Sequence, residues 1–387
     1  MPMRRWLATV VLVGLVTACS GGGAGSGPGT SPPAGDAPQK IIIDSDYNTM
    51  YDDGQLGVMA AQLQAQRKVQ LLGISVVTGN YWQRQEVTEA LKSVERLGIG
   101  DRVGVYAGTG RPLNHDLPTV QAELAAGAGG PDTYLGAWST GPEPTSDADL
   151  KAPSDGFAQQ TKVQPKSAVD FIVDSVKANP HEVTILAVGP LTNIAQAVQR
   201  NPEILPLIKQ IIHMGGAFDV PGGTTKSAEF NWYFDPDATQ LVLRQPIPQV
   251  VLPLDVTNTV SLTKPVYDRI AHPAKPTVVT DLFKEANGLG FSGTDGFENN
   301  PSYTQNIWDT LTLAYLIDPT YATETVERYV DVVAKPGAAD NGHAIGYTEQ
   351  PAGPPLQKVQ IVKKFDNARF FELYVDLLTR PVPVQPG

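Results

Sequence analysis

Cysteine is almost absent from this chain of 387 residues, which has only Cys19. A single cysteine excludes an intramolecular disulfide, so the stability of the fold must come from its core. Basic residues are also in the minority, since 29 lysines and arginines face 40 aspartates and glutamates and leave a formal net charge of −11. Such an acidic balance disfavours nucleic acid polymers and anionic membranes as partners, whereas it suits divalent cations.

One apolar run stands out near the amino terminus, and it is short. It covers residues 6–16 and follows Arg4 and Arg5. Its length is typical of the core of a signal peptide and too small for a membrane span. We therefore expect residues 1–18 to be a signal peptide that is removed, which lowers the formal charge from −11 to −13 with the loss of the two arginines.

The apolar run ends in Val-Thr-Ala-Cys at residues 16–19, and Ser20 and three glycines follow. This pattern resembles the lipobox of bacterial lipoproteins, in which the cysteine is diacylated and becomes the mature amino terminus. The resemblance implies that Cys19 is a lipid anchor and that the protein is extracytoplasmic, held at the bacterial cell membrane through its lipid alone. An ordinary secretory signal peptide with an incidental cysteine is the alternative.

The next segment, residues 19–39, consists mainly of glycine, serine, proline and alanine. It has almost no large apolar side chain and cannot bury enough surface to order itself, so we predict a flexible tether. The rest of the chain contains neither an internal repeat nor a second composition shift. Residues 40–387 are therefore predicted to form one domain.

After Lys40, short β-branched or aliphatic runs alternate with helix-like stretches. The predicted helices have apolar residues at three-and-four spacing and cover residues 55–66, 85–97, 167–178 and 193–199. The predicted strands cover residues 41–43, 69–77, 103–105, 183–188, 209–213, 249–254, 328–334 and 358–365. This alternation predicts an α/β fold with an open, mostly parallel, Rossmann-like sheet and helices on both faces. Residues 114–164 break the rhythm, which is typical of a functional or disordered segment.

Polar residues gather at the carboxyl ends of the predicted strands, where open parallel sheets bind ligands. Four carboxylates, those of Asp44, Asp46, Asp52 and Asp53, follow the first strand within ten residues. Left unpaired they would repel one another, so they require a cation, hydrogen-bond donors or full solvation. A hard divalent ion such as Ca²⁺ satisfies this need with oxygen ligands.

Two alternatives to a metal site apply to this stretch. It could be a solvated acidic turn that caps the following helix. It could also belong to a phosphotransferase of the haloacid dehalogenase type, which has Asp-x-Asp after its first strand. That family requires threonine or valine two residues after the second aspartate, and Asn48 stands there instead.

Further motifs lie at the ends of the other predicted strands. They are Val-Thr-Gly-Asn at 77–80, Val-Tyr-Ala-Gly at 105–108 with Arg-Pro-Leu at 111–113, Gly-Pro-Leu-Thr-Asn at 189–193, Met-Gly-Gly-Ala-Phe at 214–218, Ala-Glu-Phe-Asn at 228–231 with Asp-Pro at 235–236, Leu-Asp-Val-Thr at 254–257, and Trp-Asp at 308–309. With residues 44–53, this ordered series resembles the inosine-uridine-preferring nucleoside hydrolase family over nearly the whole chain after the tether. Each motif alone is weak evidence, whereas their shared order is specific.

The resemblance implies an enzyme that splits ribonucleosides into free base and ribose with one Ca²⁺ and no other cofactor. By position, the protein ligands of this ion are Asp46, Asp53, the main-chain carbonyl of Thr192 and the carboxylate of Asp309, all oxygen donors. Asp46 is also predicted to be the base that activates water. The predicted substrate contacts are Asp52, Asn80, Met214, Glu229, Asn231 and Trp308.

Several of these residues have a simpler explanation. Asn80 could be an ordinary turn residue, and Thr192 could only cap a helix. Glu229 and Asn231 could be an exposed polar pair. Methionine at position 214 is more often core packing than a ligand contact.

The chain departs from the family pattern at four positions. Met50 stands where this form of the motif often has an aspartate, and Asn48 stands where glycine is frequent. Gly223 replaces an asparagine that holds the 5′-hydroxyl of the sugar in nucleoside-specific members. Trp308 stands where pyrimidine-accepting members of the family have a histidine. Purine-preferring members have a tryptophan at this position, and its indole stacks on the base. We therefore expect a preference for purine nucleosides.

Five aromatic residues are candidates for a second side chain that stacks on the base, and the sequence does not rank them. They are Tyr47, Trp82, Tyr134, Trp138 and Tyr303. None of the five histidines falls on a catalytic motif position. The rival functions are a non-catalytic nucleoside- or sugar-binding lipoprotein and a hydrolase of another N-riboside. Assembly into a homo-oligomer is compatible with all of them.

Overall fold

The first strand, β1 (Gln39–Ser45), lies at the centre of the fold and is buried on both faces. In the computed structural model, which describes residues 37–130, 133–290 and 293–385, Ile41 and Ile43 pack into one hydrophobic cluster and Ile42 into another. The two clusters lie on opposite faces of the sheet because successive side chains of a strand alternate in direction. Each fully buried isoleucine contributes about 1.5 to 3 kcal/mol relative to an exposed one.

The helices and strands alternate through most of the described chain. The other strands are β2 (Val69–Val76), β3 (Gly104–Ala107), β4 (Val183–Ala187), β5 (Gln210–Met214), β6 (Gln249–Leu252), β7 (Ser261–Thr263), β8 (Thr304–Asn306), β9 (Ala322–Val332), β10 (Ala344–Tyr347) and β11 (Lys358–Phe365). The helices are α1 (Asp52–Ala65), α2 (Gln83–Arg96), α3 (Leu117–Ala125), α4 (Ala168–Ala178), α5 (Thr192–Arg200), α6 (Phe230–Phe234), α7 (Pro236–Leu243), α8 (Leu254–Thr257), α9 (Lys264–Ala271), α10 (Val278–Gly288), α11 (Thr310–Ile317) and α12 (Asn367–Leu378).

The main sheet has nine strands in the order β10-β9-β11-β6-β5-β4-β1-β2-β3. All neighbours from β11 to β3 are parallel, whereas β9 runs antiparallel to both β10 and β11. The chain first proceeds from β1 to β2 and β3, and it then returns to place β4 on the other side of β1. The strand order therefore reverses at β1, and such a reversal opens a crevice at the carboxyl ends of the flanking strands.

The predicted fold class, a mostly parallel α/β sheet with helices, is confirmed. Residues 114–164 were predicted to lack regular structure, and this was wrong for α3 (Leu117–Ala125). That helix is capped by the Asp116 carboxylate, which accepts a hydrogen bond from the backbone N–H of Thr119 at 3.0 Å. The many glycines and prolines around α3 conceal so short a helix in the sequence.

The tether was predicted to reach residue 39, but Gln39 already belongs to β1. Its backbone N–H donates to the Lys68 carbonyl at 3.1 Å, so the sheet begins there. Ala37–Gly387 form one compact unit. The expected signal peptide, most of the tether and Cys19 lie outside the described residues. In the described chain, no helix is both long enough and apolar enough to span a membrane.

His213 in β5 is a titratable group buried in the sheet, with no exposed surface. Its Nε2 donates to Gln249 Oε1 at 2.9 Å, because the Gln249 amide nitrogen is itself used as a donor to backbone carbonyls. The other ring nitrogen, Nδ1, is buried and has no hydrogen-bond partner among the described residues. Burial lowers the pKa of His213 from 6.5 to about 4, since a charged ring could not be solvated there.

We predict that His213 makes the fold less stable as the pH falls from 6.5 to 4. In that window the unfolded chain binds a proton at His213 and the folded chain does not, so protonation favours unfolding by up to about 3 kcal/mol. The measurement is the free energy of unfolding in urea against pH, compared with His213→Gln. The difference between the two proteins should change across this window, and parallel curves would contradict the assignment.

Candidate active site

The Asp53 carboxylate is fixed by the last residue of β1, Ser45, and by Asn48 in the loop that follows. Ser45 Oγ donates to Asp53 Oδ1 at 2.6 Å, and Asn48 Nδ2 donates to Asp53 Oδ2 at 2.6 Å. Asp52 and Asp53 form the first turn of α1, where the helix dipole favours negative charge. Asp53 is thus buried and held in one orientation at the edge of the sheet.

Three carboxylates converge at this edge. One oxygen each of Asp52, Asp53 and Asp309 lies within 4.8 Å of the others, although Asp309 is more than 250 residues away along the chain. Asp309 directly precedes α11, and the backbone N–H of Trp308 donates to Asp52 Oδ2 at 3.3 Å. The long-range folding of the chain therefore creates a set of three acidic oxygen donors.

The electrostatics of this triad require a counter-charge. Burial, followed by the nearby charges of other aspartates, raises the pKa of Asp53 and of Asp309 well above the usual value. Burial also raises the pKa of Asp52. Buried oxygen ligands with this mutual repulsion fit a hard divalent cation, which would stabilise all three in their ionised form.

Asp46 lies beside the triad in a close-fitting backbone cradle. Asn80 donates from its backbone N–H to Asp46 Oδ2 at 2.9 Å. A Cβ atom on Gly79 would lie 2.3 Å from Asp46 Oδ2, and one on Gly189 would lie 3.0 Å from Asp46 Oδ1. Because only glycine allows both approaches, the ends of β2 and β4 hold Asp46 between them.

Burial raises the pKa of Asp46 to about 8, with smaller contributions from the charges of Asp52 and Glu229. Asn80 connects Asp46 to the triad, since its Nδ2 donates to the Asp46 carbonyl at 2.9 Å and to Asp53 Oδ2 at 3.3 Å. A cation at the adjacent triad would counter this shift and keep Asp46 ionised, so that it could accept a proton near neutrality. This is the arrangement that a general base needs.

Residues 229–231 at the start of α6 bring two further buried polar side chains, and the charge of Glu229 acts on Asp46. The Glu229 carboxylate accepts backbone N–H groups from Asn231 at 2.8 Å, from Gly216 at 2.9 Å and from Trp232 at 3.1 Å. Asn231 Nδ2 donates to the carbonyls of Val188 at 3.2 Å and Met214 at 3.1 Å. Both side chains are thus oriented by the ends of β4 and β5.

Behind the crevice, buried polar residues support the strand ends. Asp44 accepts hydrogen bonds from Ser75 and, at 2.9 Å, from Asn193 Nδ2, and burial raises its pKa to about 7. Thr192 Oγ1 donates to Asp235 Oδ2 at 2.7 Å. These contacts fix the start of α5 relative to β1.

Comparison with known proteins agrees with this geometry. Residues 41–372 match the family model described as inosine-uridine preferring nucleoside hydrolase. The pyrimidine-specific ribonucleoside hydrolase RihB of Escherichia coli O157:H7 strain EC4115 is 32% identical over 299 residues, which cover 77% of this chain and 84% of that protein.

The chain belongs to the inosine-uridine-preferring nucleoside hydrolase family. It is accordingly a nucleoside hydrolase, and the predicted family and enzyme class are confirmed.

Solved nucleoside hydrolases share the fold. A purine-preferring ribonucleoside hydrolase from Gardnerella vaginalis superposes with a TM-score of 0.68 at 24% identity and covers 88% of this chain and 98% of its own. The inosine-uridine preferring nucleoside hydrolase from Bacillus anthracis gives a TM-score of 0.62 at 20% identity, over 88% of this chain and 99% of its own.

Contacts join Asp46, Asp52, Asp53, Asn80, Asp309 and Trp308 of this hydrolase into one group, which differs from the predicted grouping in one respect. Asp52, predicted as a sugar contact, lies in the triad, whereas Asp46, predicted as a metal ligand, lies beside it. Residue spacing does not reveal the path of the loop between Asp46 and Asp52, so it could not predict this grouping. The metal role of the Thr192 carbonyl stays a prediction, and this buried residue begins α5.

The aromatic residues considered for stacking on the base differ in burial and in their contacts. Tyr47 is wrong as a stacking wall, because it is fully buried and its hydroxyl donates to Ser93 Oγ at 2.7 Å. Trp138 already stacks on Phe234 at 4.1 Å. Trp308 is half-buried, and its Nε1 donates to Asn258 Oδ1 at 2.8 Å. Tyr134 reaches the site, since its hydroxyl donates to Asn80 Oδ1 at 3.0 Å.

Several residues around the site were not predicted from the sequence. Asn48 was treated only as a departure from the family pattern, yet it holds Asp53. Gly223, another departure, has a φ of +80°, a conformation that favours glycine. Glu86 was overlooked altogether, although its Oε1 accepts N–H groups beside Asn80. No motif signals Glu86, because it lies inside an amphipathic helix.

We predict that Gly79→Ala strongly reduces ribonucleoside hydrolysis. The new Cβ would collide with Asp46 Oδ2 at 2.3 Å and displace that carboxylate, and a shift of about 1 Å at a reacting group can cost about 100-fold in rate. The measurement is kcat/KM. Gly110→Ala is the matched control, since its Cβ would meet Glu143 Oε1 at an ordinary 3.5 Å. Equal activity of the two variants would contradict the cradle.

Proposed function

We propose that this protein is a calcium-dependent ribonucleoside hydrolase that releases free base and ribose, with purine nucleosides preferred. The observation that carries the proposal is the convergence of Asp52, Asp53 and Asp309 beside Asp46. It supports a site where a metal ion, a water molecule and a sugar meet.

The ligand chemistry favours calcium. Asp46, Asp53, the Thr192 carbonyl and Asp309 offer only oxygen, and Asp52 adds a further carboxylate at the same place. Calcium accepts six to eight oxygen ligands in flexible geometry, which suits so many carboxylates. When bound, the ion would lower the pKa of water and offer coordination to ribose hydroxyls.

Asp46 is the proposed general base. It takes a proton from the attacking water as the water oxygen bonds to the anomeric carbon. The bond from that carbon to the nucleobase nitrogen breaks, and the nucleobase leaves with the electron pair and takes up a proton from solvent. The transition state resembles an oxocarbenium ion. The cradle of Gly79 and Gly189 fixes the direction in which Asp46 can accept that proton.

The remaining residues orient the sugar and the base. Asn80, Glu229 and Asn231 are already held by backbone contacts, so little order is lost when they bind ribose hydroxyls. Met214 supports Asn231 through its carbonyl. Trp308, anchored by Asn258, offers an indole surface on which a purine can stack. The named specificities of the relatives include both purine and pyrimidine nucleosides, so the proposed purine preference rests on Trp308 alone.

The first experiment measures free ribose released from inosine, adenosine, guanosine, uridine and cytidine, with calcium and with excess chelator. We expect release with calcium, loss of release with chelator and recovery when calcium is restored. Inosine, adenosine and guanosine should be the faster substrates because of the larger stacking area on Trp308.

Asp46→Asn is the matched variant, since it keeps the shape of the side chain and removes the base. It should bind nucleoside and release no ribose. Wild-type protein that binds nucleosides without releasing ribose would favour the binding-lipoprotein alternative. Faster release from uridine and cytidine would contradict the purine preference.

We further propose that Cys19 anchors the enzyme by a lipid on the outside of the bacterial membrane. The lipobox-like residues 16–19 support this proposal. After expression in a bacterium, wild-type protein should sediment with membranes and be released by detergent. Cys19→Ala should abolish lipid labelling, and equal labelling of both proteins would contradict the anchor.

A further inference from the structure

The turn that carries Asn80 is held in place by Glu86, which lies in α2. This glutamate has no exposed surface, and its Oε1 accepts the backbone N–H groups of Gly79 at 3.3 Å and Tyr81 at 2.7 Å. The backbone on both sides of Asn80 is therefore held to α2. These contacts do not determine the orientation of the Asn80 carboxamide.

The Asn80 carboxamide has a donor end and an acceptor end with different neighbours. Nδ2 faces two acceptors, the Asp46 carbonyl and Asp53 Oδ2. Oδ1 accepts the Tyr134 hydroxyl at 3.0 Å. A flipped amide would turn its oxygen toward the two acceptors and lose both hydrogen bonds. Donation from Tyr134 thus stabilises the one orientation in which Asn80 joins Asp46 to Asp53.

Tyr134 is held at this position by its own segment. The backbone N–H of Ala137 donates to the Gly79 carbonyl at 2.8 Å. Gly136 has a φ of +51°, and a Cβ there would lie 2.2 Å from the Gly79 carbonyl oxygen. The Tyr134 ring packs 4.9 Å from that of Phe230, which lies between Glu229 and Asn231. Tyr134 therefore contacts both Asn80 and the start of α6.

We propose that Tyr134 is a positioning residue of the hydrolase, acting through the Asn80 carboxamide. The proposal rests on the function proposed above, in which Asn80 contacts the sugar. Burial and the charges of Asp46 and neighbouring groups raise the pKa of the Tyr134 hydroxyl, so it remains a neutral donor over the working range of pH. Tyr134 has 45% of its surface exposed, so exchanging it for phenylalanine leaves the core intact.

The test is a double-mutant cycle of Tyr134→Phe and Asn80→Ala. We expect Tyr134→Phe to lower kcat/KM for ribose release about fivefold to tenfold, as for the loss of one hydrogen bond. In the Asn80→Ala background, the same change should have less than about a twofold effect, because the hydroxyl then has no carboxamide to orient. Tyr347→Phe, in the edge strand β10, is the matched control and should leave kcat/KM unchanged.

Wild-type turnover separates this proposal from the proposed function. If wild-type protein binds nucleoside without releasing ribose, the hydrolase assignment fails, and the same cycle is read from nucleoside dissociation constants. A Tyr134→Phe effect of equal size with and without Asn80 would overturn positioning through Asn80. A Tyr134→Phe variant that is as active as the wild type would also overturn it. A wild-type protein that neither binds nor hydrolyses nucleosides would contradict both proposals.

Discussion

Burial of several carboxylates at one edge of a sheet is the constraint on which the site depends. Asp46, Asp53 and Asp309 are each at most 4% exposed, and Asp52 is only partly exposed. Ionised carboxylates in such a place are costly unless a cation or hydrogen-bond donors compensate them. Ser45, Asn48 and Asn80 supply donors to Asp53, yet the pKa of Asp53 is still raised well above its usual value. Neutral donors alone therefore do not balance the charge, and a divalent cation would supply the missing counter-charge.

The sheet topology explains why these groups meet. The reversal of strand order at β1 leaves space above its carboxyl end, and β2 and β4 contribute glycine-containing turns on either side. Asp309 reaches the same place from the start of α11. Stability and function would thus be in tension at this edge, because buried carboxylates that suit a cation repel one another when no cation is bound.

Part of this architecture could be read from the sequence, for a physical reason. Strands buried on both faces, such as residues 41–43, appear as continuous apolar runs, and the polar motifs that follow them identify the crevice. The contacts that complete the site could not be predicted from the sequence. Tyr134 meets Asn80 across 54 residues from a segment without periodicity, and the buried Tyr47 hydroxyl donates to Ser93 in α2. Such long-range pairings follow from packing, which local spacing does not encode.

Titration calorimetry of the purified protein with Ca²⁺ shows whether these carboxylates share an ion. We expect one Ca²⁺ per chain, with binding greatly weakened in Asp53→Asn and Asp309→Asn and unchanged in Asp101→Asn, an exposed control. If Asp309→Asn bound calcium as tightly as wild type, or if wild-type protein bound none, the convergence of these carboxylates on a shared ion would be contradicted.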